Sequence, residues 1–108
     1  MIGLKYFVEN NSMSKLELAK KLEVSPALIS KWLLNVKNLR KEYADRFAQL
    51  FNVDVSLLDE DIDYIIINPD HAKYNILCQS IKQMKLTQFK REKEEAEQKI
   101  YQIEQLMT

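Results

Sequence analysis

The stretch Ser14-Lys15-Leu16-Glu17-Leu18-Ala19-Lys20-Lys21-Leu22-Glu23-Val24-Ser25-Pro26-Ala27-Leu28-Ile29-Ser30-Lys31-Trp32-Leu33-Leu34 decides how this chain is read. Ser14 is a good helix N-cap, and Glu17 three residues on completes a capping box. Leu16, Leu18, Ala19 and Leu22 carry a helix of about two turns. Glu23-Val24 leaves room only for a tight connection. Ser25 is a second N-cap, and Pro26 follows at the first helical position, where its missing N–H costs nothing. Leu28, Ile29, Trp32 and Leu33 mark this next helix. Asn35, which tolerates a left-handed backbone, is the natural terminator.

Leu4, Phe7 and Val8 form a short helical stripe that stops at Asn10-Asn11-Ser12. Beyond Asn35, residues 36–41 form a loop rich in Lys and Arg. Tyr43, Ala44, Phe47, Ala48, Leu50 and Phe51 mark a fourth helix closed by Asn52, and Asp54 caps a last turn holding Val55, Leu57 and Leu58. Five short helices with brief loops predict an all-α domain over residues 1–58.

Residues 59–68 differ in kind. Asp59 to Asp63 reads as an acidic hinge, and Tyr64-Ile65-Ile66-Ile67 is a run of β-favouring residues, a candidate short strand. The run is too apolar to hang free. Either it is buried against the helices, or Ile65 and Ile67 meet the same segment of a second chain at a strand edge. Asn68-Pro69 then reads as a new N-cap with Pro at the first helical position, opening a helical region over residues 69–108 for dimerisation or partner binding. Tyr74, Leu77, Ile81 and Met84 share one face. A second stripe, Leu86, Phe89, Lys93, Ala96, Ile100, Ile103 and Met107, is spaced alternately three and four residues, the signature of a coiled-coil seam. The two stripes are out of phase near residues 84–86, which calls for a stutter in one helix or a break between two. Lys90–Glu94, Arg91–Glu95, Lys93–Glu97 and Glu95–Lys99 are opposite charges four residues apart, as on a helix projecting into water. Such a helix cannot bury its own Ile100, Ile103 and Met107, so it needs a partner. Lys93 on the seam weakens the pairing and helps fix its register.

Net charge is zero, but unevenly spread: residues 1–58 hold nine Lys/Arg against six Asp/Glu, and residues 59–108 seven against ten. The mildly basic half is the N-terminal one. A single cysteine, Cys78, forms no intrachain disulfide and assembles no cysteine-based zinc site. There is no signal-peptide pattern and no run of the ~20 apolar residues that a membrane span needs, so a cytoplasmic protein is expected. His71 has no partner at ligand spacing, and the acidic cluster at residues 59–63 lacks the spacing of a calcium loop. No metal or cofactor is expected. With one glycine, Gly3, a phosphate-cradling loop is excluded. No nucleophile–base pairing is visible either, and an enzyme is not expected.

The run from Met13 to Trp32 resembles the Cro/phage-repressor helix-turn-helix family, the XRE-like group, whose usual pattern is Leu-Ala, then Leu-Gly-Val-Ser, then Ile-Ser-Lys/Arg-Trp. The Phe47-Ala48…Phe51-Asn52-Val53-Asp54…Leu58 stretch is similar to the closing helices of that family, so the likeness covers about residues 2–58. The resemblance implies a five-helix, lambda-repressor-like fold in which the first motif helix braces the DNA backbone and the second enters the major groove. The residues it assigns to double-stranded DNA are Lys15, Ser25, Pro26, Ala27, Leu28, Ser30 and Lys31, with Lys37, Arg40 and Lys41 of the following loop beside the phosphates. The chain departs from the pattern where it matters. Glu23 replaces the turn glycine and must adopt a left-handed conformation at ~1 kcal/mol or more, or shift the turn. Among the base-facing positions only Ser30 and Lys31 can hydrogen-bond, so direct readout is thin. Two functions follow. One is a homodimeric transcriptional regulator, repressor-like, joined through Ile65, Ile67, Leu86, Phe89, Ala96, Ile100, Ile103 and Met107. The other is an interaction module, such as an antitoxin or adaptor, that grips a regulatory protein partner through the same C-terminal helix.

Overall fold

The computed structural model describes residues 1–107. The element order is α1 (Gly3–Asn10), α2 (Lys15–Leu22), α3 (Pro26–Leu34), a 3₁₀ turn (Val36–Asn38), α4 (Lys41–Phe51), a second 3₁₀ turn (Val55–Leu57), α5 (Ile62–Ile66) and α6 (Tyr74–Met107). The all-α class is as the sequence predicts. Within residues 1–58 the last of the five expected helices is the 3₁₀ turn at Val55–Leu57, started as anticipated by Asp54, whose carboxylate accepts the Ser56 N–H at 2.9 Å. That bond from Ser56 holds the Asp54 carboxyl below the usual carboxylate range.

Local signals set the helix ends. Ser14 Oγ accepts from the Glu17 N–H and Ser25 Oγ from the Leu28 N–H, so each satisfies an amide that its helix cannot. The Asn10 side-chain amide donates to the Tyr6 carbonyl and that of Asn11 to the Phe7 and Val8 carbonyls, which ends α1. Glu23 takes the left-handed conformation, φ 58° and ψ 41°, and its N–H returns to the Ala19 and Lys20 carbonyls. That one residue turns the chain from α2 into α3. Asn35 is not left-handed as expected but extended, at φ −147°, because its side chain caps the next 3₁₀ turn by accepting the Lys37 N–H. Leu18, Ala19, Leu22, Ile29, Trp32, Phe47 and Phe51 are buried together with Leu4, Phe7 and Val8 of α1. Leu16 is exposed, on the far side of α2 from its stripe-mates.

The N-terminus of α1 has no side-chain cap; the chain beyond the helix-turn-helix supplies one. The Gly3 and Leu4 N–H groups donate to the Glu60 and Leu58 carbonyls, each at 2.8 Å, and the Ile62 N–H donates to the Met1 carbonyl at 2.9 Å. The approach is so close that a Cβ on Gly3 would lie 1.8 Å from the Leu57 oxygen. The acidic segment is therefore not a free hinge. Asp61 and Asp63 accept from the Met1 amino group at 3.1 and 2.6 Å. These bonds, Asp63's foremost, raise the amino group's pKa, and the amino group holds the Asp61 carboxyl below its ordinary range.

The candidate strand is helical instead over Tyr64–Ile66, with Ile67 closing the helix. Asp61 Oδ1 caps the Asp63 and Tyr64 N–H groups, and Ile62 and Ile65, three apart, both reach the core. A cap and two buried isoleucines outweigh the β-preference of the run. Ile65 is wholly buried within its own chain and so is closed to a partner, whereas Ile67 is exposed beyond the end of α5. Asn68 does not open a helix at Pro69 as expected. Its side chain donates to the Tyr64 carbonyl and closes α5, and the chain turns through His71 before α6 begins at Tyr74. Lys73 pins that turn, its Nζ donating to the Glu60 carboxylate at 2.6 Å and the Ser56 carbonyl at 3.3 Å.

α6 is one uninterrupted helix of 34 residues, which excludes the break between two helices. Its first half lies along the body: Leu77 and Met84 enter the core, buried Ser80 accepts the Asp54 N–H at 3.0 Å, Asn52 donates to Thr87, and Arg91 donates to Ser12. From residue 92 onward every described side chain is exposed.

Two substitutions probe this frame. Gly3→Ala forces the α1 terminus away from Leu57 and is expected to destabilise the fold by about 2–3 kcal/mol in urea unfolding. Glu23→Gly removes the left-handed strain in the turn and is expected to stabilise it by about 1 kcal/mol in the same assay.

Candidate nucleic-acid interface

α3 buries Ile29 and Trp32. The Trp32 ring sits 5.0 Å from that of Tyr43 and meets Phe47 edge-on at 5.9 Å, which fixes the roll of the helix about its axis. With that face inward, Ala27, Lys31 and Leu34 share the opposite one by their four- and three-residue spacing. All three are exposed, and Leu34 is 89% exposed. Leu28 and Ser30 flank this face half-buried, while Ser25 and Pro26 lie open at the start of the helix.

Lys15, the first residue of α2, points across the motif: its Nζ donates to Ser30 Oγ at 3.4 Å. Two of the residues assigned from sequence are thus brought together from separate helices. On the other side of α3, Leu28, Lys31, Trp32, Asn38, Arg40 and Tyr43 line an open depression of about 450 Å³ with two cations at its rim and aromatic rings in its wall. Arg40 stands at the N-cap position of α4 without capping it, and Lys41 begins that helix. Lys37 is exposed in the 3₁₀ turn between. Among the described residues none of Lys15, Lys31, Lys37, Arg40 and Lys41 is in an ion pair; the charge pairs there are those of Met1 with Asp61 and Asp63, and of Lys73 with Glu60. Five cations that no carboxylate neutralises therefore surround one helix. That arrangement suits a polyanion, because each phosphate neutralised releases condensed counterions.

The sequence pattern did not single out Leu34, although Ala27, Lys31 and Leu34 follow the spacing that identifies one helix face. It also left Arg46 unassigned. Arg46 lies 5.5 Å over the Tyr43 ring and donates to the Leu22 carbonyl, so it closes the end of α2. Trp32 lines the depression but belongs to the core. Among the described residues no group of His, Cys, Asp and Glu is placed to hold a metal ion, and no helix is long and apolar enough to cross a membrane.

Neither a curated protein nor a solved structure matches the chain. A family model described as helix-turn-helix matches residues 4–58, from the start of α1 through the second 3₁₀ turn. That span is half of the chain and contains α2, the Glu23 turn and α3 whole. The chain belongs to the helix-turn-helix family of the Cro/phage-repressor, XRE-like type, a family of DNA-binding regulators.

Proposed function

We propose that the protein is a sequence-specific, repressor-like regulator that binds operator DNA as a homodimer. The observation that carries this reading is the outward face of α3, Ala27, Lys31 and Leu34, flanked on both sides by cations that are in no ion pair. α3 enters the major groove N-terminus first. Lys15, Lys37, Arg40 and Lys41 lie against the phosphates on either side and set register without reading sequence. Lys31 is the hydrogen-bond donor to a guanine edge. Ala27, Leu28 and Leu34 offer methyl groups, which favour thymine but do not distinguish donors from acceptors. A half-site with one dominant G·C pair among T·A-rich neighbours follows, and much of the remaining specificity falls to DNA shape and to half-site spacing of about 34 Å, one helical turn.

The dimer half of the proposal rests on α6. Its distal half carries Ile100, Ile103 and Met107 in water, more than half of each exposed. Unpaired surface of this kind on a helix with a seam spacing favours a second helix. The same surface supports the second reading, an interaction module such as an antitoxin or adaptor that captures a regulatory protein.

Selection from a randomised duplex pool, followed by fluorescence anisotropy on the enriched duplexes, tests the first reading. An enriched inverted repeat is expected. Lys31→Ala should weaken its binding about 10- to 100-fold and relax preference at one base pair. Lys37→Ala and Arg40→Ala should weaken binding to all duplexes alike and shallow the salt dependence by about one charge each. A pool that shows no enrichment contradicts the proposal. If Lys31→Ala leaves cellular function intact while truncation after Arg91 abolishes it, the module reading takes its place.

A further inference from the structure

The two faces of α6 lie on opposite sides of the helix. At 3.6 residues per turn, Phe89, Lys93, Ala96 and Ile100 are centred about 150° around the axis from the body-facing Leu77, Met84 and Arg91. Leu86 and Phe89 belong to the half of α6 already packed on the body, yet Phe89 is 65% exposed because it points away from it. The apolar seam therefore begins where a partner must run back alongside the body, rather than meeting only at the distal tip.

Charge decides which way that partner runs. In the seam, Leu86, Lys93 and Ile100 occupy a positions and Phe89, Ala96 and Ile103 occupy d. Lys90 and Glu97 then flank it at e, and Lys85, Glu92 and Lys99 at g; all five are exposed. In a parallel pair each g residue faces the e residue five positions later in the partner. Lys85 would meet Lys90, Glu92 would meet Glu97, and only Lys99 would find an opposite charge, in Glu104. Lys93 would also face its own copy inside the seam. An antiparallel pair brings e against e and g against g. When Leu86 lies opposite the partner's Ile103, Lys90 lies against the partner's Glu97 and Glu92 against the partner's Lys99, each contact occurring twice. No like charges meet. Phe89 then covers the partner's Ile100, and Lys93 falls opposite the partner's Ala96, whose small side chain lets the lysine stem run out to water. Shifting this alignment by one heptad in either direction creates like-charge contacts.

We propose that α6 pairs with α6 of a second copy in antiparallel orientation, Leu86 opposite the partner's Ile103, with the two-fold axis between residues 94 and 95. This rests on the homodimer reading above and goes beyond it in naming the face, direction and register.

The chain's own Cys78 tests it. Cys78 is exposed, on the seam side of α6 ahead of Leu86. A spin label there should report about 50 Å between copies in the antiparallel pair, from the 1.5 Å rise per residue, and under about 20 Å in a parallel one. Sedimentation equilibrium supplies the mass independently. A dimer with the long distance supports the proposal. A dimer with the short distance overturns the orientation and leaves the homodimer standing. A monomer overturns both, and DNA binding is measured separately. Glu97→Lys gives a second, sign-reversing test at an exposed position. It should weaken the antiparallel dimer about tenfold by setting lysine against the partner's Lys90. Tighter association in this variant would overturn the proposal, because in a parallel pair the new lysine meets the partner's Glu92. Restored association in the Lys90→Glu, Glu97→Lys double variant would identify Lys90 as the contact.

Discussion

The burial of Ile29 and Trp32 on one side of α3 is the constraint from which the functional surface follows. A nine-residue helix is too short to hold its own orientation; packing must supply it. Trp32 wedged between Tyr43 and Phe47 of α4 supplies it, and Ile29, wholly buried, removes the remaining freedom to roll. Ala27, Lys31 and Leu34 then have no choice but to face out. The left-handed Glu23 works to the same end, because it sets the angle at which α3 leaves α2. Side chains that never touch a ligand thus define the surface that would.

That surface is unusual for its sparse polarity. One lysine and one half-buried serine are its donors, and Ser30 is already engaged by Lys15. A small apolar helix face between cations that no carboxylate neutralises implies that DNA binding depends strongly on phosphate contacts and on DNA shape. In the proposed homodimer, how the copies are joined would bear directly on which DNA is bound, and α6 would be part of the specificity rather than a mere tether.

What the sequence made legible was local. Ser14, Ser25 with Pro26, Asn10-Asn11 and Asp54 announce helix ends because their side chains bond amides or carbonyls a few residues away. Phe47 and Phe51 reveal their burial through spacing alone. The cations beside α3 were also identifiable, since the motif places them. What stayed hidden was non-local. The carbonyls of Leu58 and Glu60 cap α1 from more than fifty residues away, and no nearby residue signals it. Tyr64–Ile67 has the composition of a strand, and only the placement of Ile62 and Ile65 in the core shows it to be helical. The two stripes of α6 are out of phase because they lie on different faces of one helix, Leu77 and Met84 inward and Phe89, Ile100 and Ile103 outward. A helix that packs on its own domain on one side and is proposed to meet a partner on the other needs two.

The central claim is that α3 and the cations beside it meet DNA while α6 does not. Backbone amide shifts of the ¹⁵N-labelled protein, followed as a selected duplex is added, test it most directly. The changes are expected to concentrate at Ser25 to Lys31, at Lys15 and at Lys37 to Lys41, with the amides of residues 92–107 unmoved. Changes confined to α6, with α3 silent, would contradict it.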